Sequence, residues 1–168
     1  MSIYELKSTL TSMVTVHESL LTIAKEKQTV VTNGDMPSLE ALMKKETTHI
    51  HGLRKLEEKR QQATYAILAE EGLVKENVTL TELMTILPPD EQDELHALQK
   101  QLTDIITPLQ QQNELNQQLI EESLRFVNLS LDMVRPETDP GNYSRPNAQT
   151  PHQDEPPEPG RSLFDSKA

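Results

Sequence analysis

The chain has 168 residues, enough for one domain with its own core. Aromatics make up only 3% and there is no Trp, so the apolar content rests on Leu, Ile, Val, Met and Ala, which is the composition of a helical bundle rather than a sandwich or barrel. A formal net charge of −11 excludes a basic nucleic-acid footprint and disfavours an anionic membrane surface, while the absence of Cys removes disulfides, thiolate metal ligands and a Cys nucleophile.

From Ile3, alternating three- and four-residue steps pick out Ile3, Leu6, Leu10, Met13, His17, Leu20, Ala24, Lys27 and Val31. Seven of these nine are apolar, a heptad seam that predicts a first helix over about 3–32. Asn33-Gly34 is its expected stop, because Gly takes the left-handed conformation at low cost. Asp35 then offers an N-cap and Pro37 fits the first turn of a second helix over about 37–71. That helix carries Leu39, Leu42, Leu53, Leu56, Ala63 and Ile67 and ends near Gly72. Glu46, His49 and Arg60 interrupt its seam, which predicts looser or wetter packing there.

Thr79-x-x-Glu82 is a capping box that opens a short helix over about 80–87. Pro88-Pro89 ends it and starts a last helix over about 90–134. Along that helix Leu95, Leu98, Leu102, Ile105, Leu109 and Leu119 keep the spacing, interrupted by Gln112 and Asn116. Pro108 falls inside it, and Thr107-x-x-Gln110 could cap a fresh start. The seam passes from Leu102 to Leu109 without a phase jump, which favours a kinked helix over a break. Short connections make successive helices antiparallel. The expected fold is therefore all-α: an antiparallel bundle or coiled coil of three long helices plus one short helix, occupying 1–134. Residues 135–168 hold seven of the eleven prolines and no periodicity, so a disordered Pro-rich tail is expected.

The end of the last helix differs from the rest. Leu124, Val127, Leu131 and Val134 recur at helical spacing, and Phe126, Leu129 and Met133 form a second stripe beside them. A helix facing only its own core needs one stripe about a third of its circumference wide. A later helix could cover both stripes, but none follows, so they are candidates for a surface that takes a partner's helix.

Signs of chemistry are missing. Five glycines and no clear strand leave no place for phosphate-binding or nucleophile turns. His49 and His51 stand two apart and point to different faces of a helix, not the four-residue spacing of a zinc pair. His17 on the first seam reads as a half-buried helix residue. The acidic run from Glu70 to Glu94 lacks the calcium-loop pattern and reads as solvated negative charge near helix starts. No catalytic residue, metal site or cofactor is expected. No apolar run approaches the length of a membrane span, and MSIYELKSTL lacks the layout of a secretory signal, so a cytoplasmic location is expected.

Two blocks carry a family resemblance. HESLLTIAKEKQTVVTNGDMPSLEALMKKETTHIHGLRKLEEKR (His17 to Arg60) resembles the opening of FlgN-type flagellar export chaperones, and NELNQQLIEESLRFVNLSLDMV (Asn113 to Val134) resembles the terminal helix of that family. Asn113, Asn116, Leu119, Ser123, Leu124 and Phe126 stand at matching places, and the ending FDSKA is similar to members from Gram-positive-type bacteria. The resemblance implies a type III secretion-linked chaperone in the cytoplasm. Its partners would be hook-associated (hook–filament junction) proteins and the flagellar export apparatus. It would occupy the terminal amphipathic helices of those clients, prevent premature assembly and aid export. Carried onto this sequence, Leu124, Phe126, Val127, Leu129, Leu131, Met133 and Val134 are the client-binding candidates, and Tyr143 is the candidate for docking on the export gate. The alternative is a homo-oligomeric coiled-coil scaffold that pairs through the first helix's seam.

Overall fold

A computed structural model describes residues 2–73 and 78–135. Four helices appear in order: α1 (Ser2–Asn33), α2 (Met36–Glu70), α3 (Leu80–Met84) and α4 (Pro89–Val134). Among the described residues there is no strand. The expected all-α arrangement of three long helices and one short one is what the chain adopts. The chain divides after Val134 into two units, and the four helices lie in the first. The tail expected to be disordered lies outside the described residues except for Arg135, and so does Tyr143.

Local chemistry sets the helix ends. Gly34 sits at φ +69°, its amide bonds to the Val31 carbonyl at 3.1 Å, and the Asp35 amide bonds to the Val30 carbonyl at 3.1 Å. These two bonds are the Schellman pair, which satisfies carbonyls left over at a helix end. Gly72 repeats the device at the end of α2, also at φ +69°, with bonds from the Gly72 amide to the Ala69 carbonyl and from the Leu73 amide to the Leu68 carbonyl. Asp35 caps α2 by accepting from the Ser38 amide and hydroxyl. Those bonds hold its carboxyl below its ordinary value. Thr79 and Glu82 close the reciprocal capping box, with the Thr79 amide donating to Glu82 at 3.0 Å and the Glu82 amide donating to the Thr79 hydroxyl at 3.2 Å.

Two expectations are settled here. α3 stops at Met84 rather than 87, and residues 85–87 continue as tight i→i+3 turns such as Leu87 to Met84 at 3.3 Å. The reason is Pro88, which has no amide hydrogen to bond the Met84 carbonyl in α-helical register, so the Leu87 amide takes that carbonyl instead. By contrast, α4 runs unbroken through Pro108.

α1 is the shared helix. It packs against α2 along one side and α4 along another, while α2 and α4 scarcely touch. This explains why Thr9 and Ile23 are buried beside the predicted seam residues Leu6, Leu10, His17, Leu20, Ala24 and Val31. A helix with two neighbours buries a wider stripe than a single seam. The main apolar cluster gathers at one end: Leu6 and Leu10 from α1, Ala63, Ile67 and Leu68 from α2, Leu83, Met84 and Leu87 from the short segment, and Leu95 from α4. The start of α1 therefore meets the end of α2 and the start of α4, which makes α2 antiparallel to both. α3 plugs this end.

The middle is polar. No α2 residue between 43 and 62 is buried, as the broken seam implied. Glu46 pairs with Lys27 at 2.9 Å, and Glu57 pairs with Arg60 at 2.7 Å. The Arg60 hydrogen bond holds the Glu57 carboxyl below its ordinary value against partial burial, and the same bond raises Arg60. His17 donates from Nδ1 to the Met13 carbonyl at 2.7 Å, so its buried ring is satisfied within its own helix.

Leu83→Ala removes a fully buried side chain from the plug. It should cost about 2–5 kcal/mol in chemical denaturation, whereas Leu124→Ala on the exposed end should stay within about 0.5 kcal/mol. The Asp35 cap stabilises the fold in full above the ordinary carboxylate range, and that contribution is lost as pH falls through the lowered folded value. The gap in thermal stability between wild type and Asp35→Ala should therefore narrow as pH falls below the ordinary Asp value of about 3.9; a gap that does not change with pH would contradict the assignment.

Candidate functional site

The site follows from the register of α4 on α1. The two run parallel, tied near their starts by Lys7 and Glu94. Further along, Asn116, only 3% exposed, donates from Nδ2 to the Ala24 carbonyl of α1 at 2.7 Å. Gln112 donates to Gln28 at 2.8 Å and to Asn116 at 3.1 Å, so this layer binds the helices through a connected set of amides. α1 then ends at Asn33, but α4 continues to Val134. Every residue from Glu121 to Val134 is exposed except Ser130, which is half-buried.

All seven predicted site residues lie on this overhang. Their exposures run from 50% at Val127 to 79% at Val134, so none belongs to the core of the isolated chain. Where the overhang leaves the bundle it forms one wall of an open groove of about 760 Å³. Leu124, Phe126 and Val127 line it together with Ile120 and Ser123, and the opposite wall is the α1–α2 turn with Val31, Met36 and Leu39. Leu129, Leu131, Met133 and Val134 continue the apolar surface beyond the groove.

Sequence reasoning missed the second wall. Val31 and Leu39 read as the last and first core positions of their helices, and their spacing carries no sign that the seam opens there. Met36 was the available signal. It is a flexible apolar residue directly after a polar Gly-Asp turn, and it is 55% exposed.

The circumference of the overhang can be laid out at about 100° per residue. Glu121, Arg125, Asn128 and Asp132 share one polar strip. The rest of the arc is apolar apart from Glu122, which heads one flank at its bundle end; Phe126, Leu129 and Met133 follow it there, and Leu124, Val127, Leu131 and Val134 form the other flank. Ser123 and Ser130 stand between the flanks, and each donates its hydroxyl to its own helix, to the Leu119 and Phe126 carbonyls at 2.8 and 2.9 Å. A satisfied serine asks nothing of a partner and leaves room for a close approach.

Among the described residues no group of three His, Cys, Asp or Glu is placed to hold a metal ion, and no helix is long and apolar enough to cross a membrane. The first-helix seam required by the scaffold alternative is covered from within, since Leu6, Leu10, Leu20, Ala24 and Val31 are all buried.

Residues 1–151 match the family described as FlgN protein. The uncharacterized protein YvyG of Bacillus subtilis (strain 168) is 31% identical over 154 residues, which is 91% of each chain. No solved structure gives a significant match. With a family match that spans the whole helical unit and a relative similar along almost its whole length, the chain belongs to the FlgN family of flagellar export chaperones.

Proposed function

We propose that the protein is a cytoplasmic chaperone that holds an amphipathic helix of a flagellar hook–filament junction protein in the groove between the α4 overhang and the α1–α2 turn. The observation that carries this reading is the group of seven large apolar side chains on α4, each at least 50% exposed, placed where no other part of the helical unit covers them. Such a surface is stabilised when a partner helix inserts residues at i, i+3, i+4 and i+7. Holding that helix keeps the client from assembling early and from aggregating, and release at the export apparatus lets it proceed. Nothing covalent is required.

Negative charge supports the same role. At −11 the free chains repel one another, which limits self-association through the exposed end. A basic or neutral client helix meets no such barrier.

Leu124→Asp combined with Val127→Asp should abolish co-elution with a purified hook–filament junction protein in size-exclusion chromatography, while far-UV circular dichroism stays close to wild type because both residues are exposed. Unchanged co-elution would refute the proposed site. Loss of helical signal would mean these side chains support the fold instead.

A further inference from the structure

We infer that the overhang of α4 is built to be clasped by two amphipathic helices of one client chain, one on each side of the Ser123–Ser130 seam. The inference rests on the client-binding reading above and extends it. The apolar arc, from Leu129 through Phe126 and Val127 to Leu124, spans about 220° at about 100° per residue. A helix that faces a single core carries a stripe of about 100° or somewhat more, well short of this arc. A single helix laid along the serine seam reaches Phe126 and Val127 but leaves Leu129 and Leu131 bare on opposite sides. These two are 56% and 62% exposed, and the groove wall formed by Val31, Met36 and Leu39 does not extend to them.

The fold already contains this pattern inside one chain, since α1 is sandwiched by α2 and α4 and buries a wide stripe as a result. Beyond Asn33 the overhang has lost α1, its one long neighbour in the bundle. A partner supplying two helices gives it the two-sided cover that α1 has.

Two observations favour a single client over a second copy of this chain on the outer flank. An interface that holds by itself buries about 800 Å² per partner and takes about 20–30 residues a side, and a flank of three large apolar side chains, Phe126, Leu129 and Met133, falls short of that. As an extension of a contact already made on the other flank, however, the same three residues suffice. A second copy would also bring together two chains of −11 each.

The test uses the full chain and a purified hook–filament junction protein. Leu129→Asp with Met133→Asp alters only the flank away from Leu124 and should weaken the client's Kd by about tenfold or more with unchanged helical content. A photo-crosslinking residue placed at 129 and, in a separate protein, at 131 should label two different segments of the client within a one-to-one complex. Wild-type affinity of the 129/133 variant alongside lost affinity of the 124/127 variant would overturn the two-helix clasp and leave the simple chaperone reading intact. One shared client segment at both positions, or chaperone-to-chaperone crosslinks at 129, would equally overturn it. Wild-type affinity of both variants would remove the binding site itself.

Discussion

A 46-residue helix laid parallel to a 32-residue one must leave part of itself without a neighbour, and where that part falls is set by two anchors. At the closed end Leu95 is fully buried among Leu6, Leu10 and Leu83. Midway, the Asn116 side chain reaches the Ala24 carbonyl. Sliding α4 by one turn would leave a buried amide unpaired, at a cost of about 1–3 kcal/mol, and would lift Leu95 out of its pocket. The overhang therefore falls at the open end. At 1.5 Å per residue α4 is roughly 20 Å longer than α1.

Stability and the proposed binding surface are separated along the same axis. The closed end holds the apolar cluster and the α3 plug. The middle holds Lys27–Glu46 and the Gln28–Gln112–Asn116 amides, polar contacts whose best-attested role is fixing register rather than adding stability. The open end holds the groove. A fold secured at the far end can leave apolar side chains exposed without risking its own cohesion, which is what a client-binding surface requires.

Exposed apolar surface of this extent normally invites aggregation. The chain answers in two ways. Overall charge keeps copies apart, and the polar strip of Glu121, Arg125, Asn128 and Asp132 keeps one side of the overhang wetted. The hydroxyls of Ser123 and Ser130 are bound within the helix, so the seam between the apolar flanks can be covered by a partner without leaving a donor stranded.

What the sequence determined by itself was whatever depends on residues close together in the chain. Gly34 and Gly72 end helices because the left-handed cap is cheapest for glycine, Thr79 and Glu82 cap each other across three residues, and the α1 seam predicted its buried side from a repeat of seven. Even α3 ended early for a local reason, the proline that follows. The doubly apolar end of α4 was also readable, since one helix needs only one stripe. Tertiary structure alone decided the axial register, through contacts such as Asn116 with Ala24 that join residues 92 positions apart. No periodicity encodes that distance. It made Leu39 and the edge of the buried Val31 part of a groove wall, and it added Met36, because the packing between helices opens where a neighbouring helix no longer continues beside them.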